Sequence, residues 1–200
     1  MKKKVVLFGD SIRMIGYGTK VPEMLGDEYE VFQPAENCRF AKYTLRMLFD
    51  LRSKIADADV IHWNNGLWDT CRLFGDGATF SSETEYVENI LRIAGLLKKI
   101  TPNVIFATTT PVRGAEATPV NNLGDATPGG AHNDNTIIAR FNSLVVPRLT
   151  EMGVQINDLY SVVAPNVSEY IREDDKIHLS EAGIDVCATR VVEAIKSILE

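Results

Sequence analysis

The chain has 200 residues, of which 45% are hydrophobic and 24% are charged, so it is long and apolar enough to bury a core. Its formal net charge of -6 argues against a protein that binds the phosphate backbone of nucleic acids. No apolar run approaches the roughly 18 residues of a membrane-spanning helix. The apolar stretch after Lys2–Lys4 is also too short for a secretory signal. We therefore expect a single cytoplasmic domain over residues 1–200.

Five short apolar runs along the chain predict buried strands. They are bounded by residues typical of turns, above all Gly, Pro, Asn and Asp. The predicted strands are Lys4–Phe8, Glu30–Gln33, Asp59–Trp63, Asn103–Thr108 and Val154–Asn157.

Helical periodicity fills most of the intervals between these runs and continues after the last one. The predicted helices are Ala41–Ile55, Ser82–Ile100, Asn135–Met152 and Ser180–Leu199. Ser82 and Glu85 have the spacing of a capping box, Ser180 stands where a helix cap would, and Pro147 is placed to kink or divide its helix. Alternating strands and helices predict an α/β fold, with a parallel sheet covered by helices on both faces. Sites in such sheets lie at the carboxyl ends of the strands.

One connection is much longer than the others. Arg113–Asn133 is rich in Gly, Pro, Asn and Thr and follows the fourth strand. Long loops in compact domains are usually functional or mobile, so we expect this segment to border the site.

The three cysteines do not suggest a disulfide framework. Cys38, Cys71 and Cys187 are an odd number, lie far apart and include no Cys-x-x-Cys spacing, so reduced thiols are the simplest interpretation. The histidines also lack the spacing of metal ligands. We expect neither a metal nor a cofactor.

Two pairs of residues carry candidate catalytic chemistry. Asp10 and Ser11 come directly after the first strand, where turn or cap chemistry is the ordinary explanation. Asp175 and His178 come just before the last helix, and the two residues between them allow the carboxylate to hold one ring nitrogen and leave the other as a base. A surface acidic run with a chance histidine is the alternative.

An amide-rich segment follows the third strand. In Asn64–Asp69, a side-chain amide could donate into the crevice as an oxyanion hole requires, although Asn-Gly is also a common turn dipeptide. The α/β-hydrolase nucleophile elbow does not apply here, because Arg13 stands where Gly-x-Ser-x-Gly needs its second glycine.

These motifs together resemble those of the SGNH (GDSL-like) hydrolases, over essentially the whole chain. Gly9-Asp10-Ser11-Ile12 is similar to the nucleophile block of that family, and Asp175-x-x-His178 is similar to its last block. The resemblance implies a flavodoxin-like three-layer α/β/α sandwich with five parallel strands in the order 2-1-3-4-5. It also implies Ser11 as nucleophile, His178 as base and Asp175 as the acid that orients it.

Two blocks depart from the family pattern. Trp68 stands where Gly-x-Asn-Asp has its oxyanion asparagine, but Asn64–Asp69 matches an Asn-x-Gly-Leu-x-Asp variant that resembles carbohydrate esterases. That variant gives the amide role to Asn64, with Asn65 as the alternative. Arg39 stands where the second block has a glycine whose N–H is a further donor. The implied oxyanion hole is then the N–H of Ser11, the amide of Asn64 and a backbone N–H near Arg39.

The substrate is less closely defined by the sequence. We predict Asp10 and Trp68 as substrate-binding residues, with further polar or aromatic groups in Arg13, Arg39, Trp63, Asn121, Asn122 and Asn133. Trp63 and Trp68 could equally belong to the core. The lack of an amphipathic lid favours a short acyl group, first of all acetyl on a carbohydrate.

The same sequence is also compatible with other functions. The enzymatic alternatives are a lysophospholipase or thioesterase and an O-acyltransferase, and a non-catalytic sugar-binding module is a different class. The expected partner is a small acylated molecule, without nucleic acid or membrane, and the sequence does not indicate the oligomeric state.

Overall fold

A parallel five-stranded sheet lies at the centre of the computed structural model, which describes residues 2–74, 76–114 and 133–199. Its strands are β1 (Lys3–Phe8), β2 (Tyr29–Phe32), β3 (Val60–Asn64), β4 (Val104–Ala107) and β5 (Gln155–Asn157). They lie in the order β2-β1-β3-β4-β5, with every neighbouring pair parallel. The predicted fold class and strand order are confirmed.

Helices surround this sheet. The α-helices are α1 (Val21–Leu25), α2 (Ala41–Asp50), α3 (Arg52–Ile55), α4 (Leu67–Thr70), α5 (Glu83–Leu97), α6 (Asn135–Glu151), α7 (Leu159–Val163), α8 (Val167–Tyr170) and α9 (Glu181–Leu199). A π-helical turn spans Ile12–Gly16, and 3-10 turns span Tyr17–Thr19 and Ala164–Asn166. Within the described ranges, no helix combines the length and the apolar character needed to cross a bilayer.

Strand alternation divides the core into two halves, one on each face of the sheet. Val5 and Leu7 of β1 point to one face and pack with residues of α1, α7 and α9. Val6 and Phe8 point to the other face and pack with residues of α2, α5 and α6. The sheet is therefore the middle layer of three, and its central strands β3 and β4 are buried on both sides, as parallel sheets covered by helices require.

The predicted helix Ala41–Ile55 is two helices in the structure. The chain leaves helical geometry at Leu51, whose φ of -100° and ψ of 7° end α2 before α3 begins. By contrast, α6 runs unbroken through Pro147. Proline removes one hydrogen bond to the carbonyl of Ser143, and both residues are exposed, so water can solvate that carbonyl.

The start of α9 anchors the segment that carries His178. The Ser180 hydroxyl accepts the N–H of Gly183 at 3.1 Å, which confirms the predicted cap, and the N–H of Ser180 donates to the Tyr170 carbonyl at 2.9 Å. A Cβ on Gly183 would lie 2.1 Å from that same carbonyl oxygen. The close approach of the two backbones therefore requires glycine at this position.

Substitution of Gly183 tests how tightly this anchor is packed. We expect Gly183→Ala to lower the free energy of unfolding by about 1–3 kcal/mol, because the added methyl group displaces the Tyr170 backbone. Gly95→Ala in α5 is the matched control, since the nearest atom to its Cβ is 3.9 Å away. Alanine there should stabilise the protein by roughly 0.5–1 kcal/mol. Urea unfolding of both variants measures the difference, and equal effects would contradict this packing.

Candidate active site

The turn after β1 places Ser11 next to two buried polar side chains, those of Asp10 and Asn64. A Cβ on Gly9 would lie 2.0 Å from Asn64 Oδ1, so only glycine fits beside this amide. Asp10 Oδ1 accepts the N–H of Ile12 at 2.9 Å and Asn64 Nδ2 at 2.8 Å. These bonds fix the turn, and Ser11 follows it half-exposed at the start of the π-helical turn.

Asp10 itself is fully buried. Burial raises the pKa of its carboxyl to about 6, against the opposing effect of the hydrogen bond from Asn64. Its second oxygen, Oδ2, has no hydrogen-bond partner within the described part of the chain. The predicted substrate-binding role of Asp10 stays a prediction, and in this structure its carboxyl lies beneath the turn.

Asp175 and His178 form a hydrogen-bonded pair just before α9. Asp175 Oδ2 lies 2.9 Å from His178 Nδ1, and Asp175 Oδ1 accepts the backbone N–H groups of Ile177 and His178, each at 2.9 Å. Partial burial would raise the pKa of Asp175, but the two N–H groups and the imidazole outweigh it and hold the pKa below its ordinary value. The carboxylate is thus ionised, and it fixes the proton of the ring on Nδ1.

A small apolar cavity contains both Ser11 and His178. Its volume is about 160 Å³, and its lining comprises Ser11, Leu67, Trp68, Cys71, Leu73, Asn133, Ile177 and His178. A larger surface hollow of about 470 Å³ lies beside the first turns of α5 and α6 and includes none of the predicted catalytic residues. The smaller cavity is therefore the candidate active site.

The serine and the imidazole are not joined by a hydrogen bond in this structure, where the Ser11 hydroxyl has no partner among the described residues. Such bonds are often long before substrate binds and tighten in the reacting complex. The shared cavity wall is compatible with proton transfer between them.

The two candidate amides, at the end of β3 and directly after it, point in different directions, as strand alternation predicts. Asn64 Oδ1 accepts the Tyr17 hydroxyl at 2.7 Å, while its Nδ2 is the group that donates to Asp10. Asn65 Oδ1 accepts the Thr44 hydroxyl at 2.9 Å. Asn64 therefore lies on the side of the nucleophile turn, and its oxyanion role stays a prediction.

Arg39 occupies a left-handed backbone conformation with φ of 50°. Glycine adopts this conformation without strain, whereas a residue with a side chain pays roughly 1–2 kcal/mol for it. The N–H of Arg39 donates to Asn37 Oδ1 at 2.7 Å, and its carbonyl accepts Asn65 Nδ2 at 2.9 Å. Arg39 thus adopts a conformation that favours glycine, and its N–H is bonded to Asn37.

The two tryptophans have different environments. Trp63 is fully buried in the core, with its ring centroid 4.9 Å from that of Phe106. Trp68 is 40% exposed and lines the cavity that contains Ser11. Only Trp68 is therefore in place to touch a substrate.

Asn133, the last residue of the predicted loop Arg113–Asn133, lines the cavity and accepts the Thr70 hydroxyl at 3.2 Å. Asn121 and Asn122 lie outside the described residues. In the part of the chain that is described, no three His, Cys, Asp or Glu side chains lie close enough together to hold a metal ion.

The apolar walls of the cavity were not predicted as site residues. Leu67, Cys71, Leu73 and Ile177 come from α4, the segment after it and the segment before α9. Leu67 and Cys71 have the i, i+4 spacing of a helix face, but Leu73 and Ile177 share no period with them, and Cys71 is one of the three free, buried thiols. No signal in the sequence marks them as a group.

Asp69 is a buried residue of α4 that bonds two neighbouring segments. Its carboxyl accepts the N–H of Ala41, the first residue of α2, at 3.0 Å and the Ser81 hydroxyl at 2.7 Å. Burial raises the pKa of Asp69 to about 7, although both hydrogen bonds act in the opposite direction. Asp69 therefore joins the start of α2 to the segment before α5.

The raised pKa of Asp69 makes the stability of the protein depend on pH. The folded protein binds this proton more tightly than the unfolded chain, so its contribution is complete below pH 4 and is lost as the pH rises to 7. We expect the free energy of unfolding of the wild type, relative to Asp69→Asn, to fall by up to about 4 kcal/mol between pH 4 and pH 7. Urea unfolding at both pH values checks this, and a difference that is constant or grows would contradict it.

Comparison with known proteins finds solved structures with a similar fold, but no match by sequence. No family model and no curated protein matches the sequence. A lipase/acylhydrolase from Enterococcus faecalis aligns with a TM-score of 0.73 at 19% identity, over 99% of this chain and 97% of its own. An acetyl xylan esterase, AlAXEase, aligns with a TM-score of 0.68 at 21% identity, over 98% and 100% of the two chains.

A catalytic mutant of an acetylxylan esterase from Geobacillus stearothermophilus is also similar, with a TM-score of 0.72 at 14% identity over 98% of this chain and 95% of its own. These alignments cover nearly the whole of each chain. The resemblance indicated by the motifs is therefore confirmed at the level of the fold: the chain has the fold of the SGNH (GDSL-like) hydrolases.

Proposed function

We propose that residues 1–200 act as one domain, a serine esterase that hydrolyses short-chain acyl esters through an acyl-enzyme on Ser11. The observation that carries this proposal is the cavity that Ser11 and His178 share, together with the hydrogen bond that Asp175 accepts from the imidazole. A hydroxyl, a base and a carboxylate that orients the base are the parts that nucleophilic acyl transfer needs.

The reaction proceeds in two steps. His178 Nε2 accepts the proton of Ser11 while the serine oxygen attacks the ester carbonyl, and the protonated ring then returns the proton to the leaving alcohol. Asp175 stabilises the imidazolium because its own carboxyl stays ionised. Water activated by His178 then attacks the acyl-serine and releases the acid.

The oxyanion is stabilised by donors around the nucleophile turn. The N–H groups of Ile12, Arg13 and Met14 donate to Asp10, whereas the N–H of Ser11 donates to no group among the described residues. Asn64 Nδ2 has two hydrogens, of which one is committed to Asp10 and the other is available to the oxyanion. The N–H of Arg39 contributes only when it releases Asn37. Each such donor is worth about 3 kcal/mol in the transition state.

The size of the cavity supports a short acyl group. An engineered cavity of about 150 Å³ in another protein holds one benzene molecule, or six carbon atoms. The cavity beside Ser11, at about 160 Å³, has a similar volume, and its walls are mostly apolar. It therefore admits an acyl chain of up to about six carbons.

Acetyl on a carbohydrate is the substrate we favour within this range. Trp68, exposed beside the cavity, offers an aromatic surface to a sugar ring. Two of the similar structures are acetylxylan esterases, which are named for acetyl groups on a polysaccharide.

Replacement of Ser11 tests the nucleophile. We expect Ser11→Ala to reduce hydrolysis of p-nitrophenyl acetate by about 10³-fold or more, because the acyl-enzyme cannot form. Ser143→Ala, at an exposed serine of α6, is the matched control and should keep wild-type activity. Steady-state release of p-nitrophenol at pH 8 measures all three proteins. A Ser11→Ala enzyme as active as the wild type would contradict the proposal.

Cys71 in the cavity wall tests the limit on acyl length. We expect the wild type to hydrolyse p-nitrophenyl octanoate at least about tenfold more slowly than the acetate and butyrate, because the longer chain overfills the cavity. Cys71→Phe should lower the ratio of butyrate to acetate activity by about tenfold for the same reason. Cys71→Ala, which adds no volume, should keep the ratio. An unchanged ratio in Cys71→Phe would show that the acyl chain lies elsewhere.

A further inference from the structure

The guanidinium of Arg13 is buried among backbone carbonyls. The side chain is 1% exposed, and Nη1 donates to the Pro34 carbonyl at 2.8 Å. Nη2 donates to the carbonyls of Gly9 at 3.2 Å and Glu36 at 3.0 Å. Both terminal nitrogens are thus bonded, while the buried Nε has no hydrogen-bond partner among the described residues, so Arg13 is committed to these carbonyls and does not reach a substrate.

The three bonded carbonyls belong to two segments that carry predicted oxyanion donors. Gly9 lies two residues before Ser11, whereas Pro34 and Glu36 begin the segment that ends at Arg39. None of the three belongs to the strands or helices of the core. The guanidinium therefore links two loops to each other, and it does not link a loop to the core.

Other contacts also hold the second segment in place: the Cys38 side chain is buried in the core, and the Thr44 hydroxyl donates to the Cys38 carbonyl at 3.2 Å. The N–H of Cys38 donates to the Gly9 carbonyl at 3.1 Å, and Asn65 Nδ2 donates to the Arg39 carbonyl at 2.9 Å. The Gly9 carbonyl thus receives both Cys38 and Arg13. It is the point at which the nucleophile turn meets the segment 34–39.

We propose that Arg13 is a positioning residue that sets the distance between the N–H of Ser11 and the N–H of Arg39, and so the geometry of the predicted oxyanion hole. This inference rests on the proposed function. The planar fork of a guanidinium can hold carbonyls on both segments at fixed angles, whereas the single ammonium of lysine cannot reproduce that geometry. The geometry that Arg13 fixes stabilises the transition state and not the bound ester, because the oxyanion forms only during the reaction.

Kinetics of Arg13→Lys and Arg13→Met separate this role from a structural one. For p-nitrophenyl acetate, we expect kcat to fall by about tenfold or more in both variants, with KM changed by less than about threefold, because the ground-state ester does not use the oxyanion hole. Arg46→Lys, at an exposed arginine of α2, is the matched control and should keep both constants.

Phenylboronic acid provides a second readout. It adds to the serine oxygen and places a tetrahedral, negatively charged group where the oxyanion forms. We expect its inhibition constant to rise in proportion to the loss of kcat, while circular dichroism and urea unfolding show that the variants are folded under the assay conditions. A merely structural role would lower the folded fraction and leave the inhibition constant of the folded molecules unchanged.

These experiments distinguish failure of the inference about Arg13 from failure of the proposed function. An active wild type together with Arg13 variants of unchanged kcat would overturn the positioning role alone. Failure of both variants to fold would overturn it too, since Arg13 would then support the fold as a whole. A wild type no more active than Ser11→Ala would overturn the proposed function, and the inference about Arg13 with it.

Discussion

The contact between Asn64 and the turn after β1 is the constraint on which the site depends. Parallel pairing places Phe8 of β1 opposite Trp63 of β3, so the residues that follow them meet at the carboxyl edge of the sheet. The Asn64 amide then occupies the space where any side chain at position 9 would lie, and it bonds Asp10. Asn64 thus fixes Gly9 and Asp10, and Ser11 follows them in a partly exposed position.

The carboxyls of Asp10, Asp69 and Asp175 differ in burial, and their pKa values shift in different directions. Asp10 and Asp69 are enclosed, and desolvation raises the pKa of each, while each accepts hydrogen bonds from two other residues. Asp175 is less buried and accepts two N–H groups, which lower its pKa and keep it charged beside His178. Environment therefore separates the acid that orients a base from the two buried acids that hold neighbouring segments together.

Much of the fold and part of the site could be predicted from local sequence. The five apolar runs predict the parallel sheet, and the resemblance carried by the motifs at the two ends of the chain implies its strand order. The structure has that order and brings Ser11 and His178 to one edge. The cavity walls could not be predicted, because Leu73 and Ile177 meet only through tertiary packing and follow no period. The same limit applies to Arg13, whose side chain could equally reach a substrate or, as the structure has it, backbone carbonyls.

The central claim, an acyl group carried by Ser11, is tested most directly by trapping the intermediate. Wild-type protein mixed with p-nitrophenyl butyrate is quenched in acid within the first turnover, digested and analysed by mass spectrometry. The account predicts a butanoyl group on the peptide that contains Ser11 and on no other peptide. An acyl group attached elsewhere, or catalytic turnover without any acylated peptide, would contradict it.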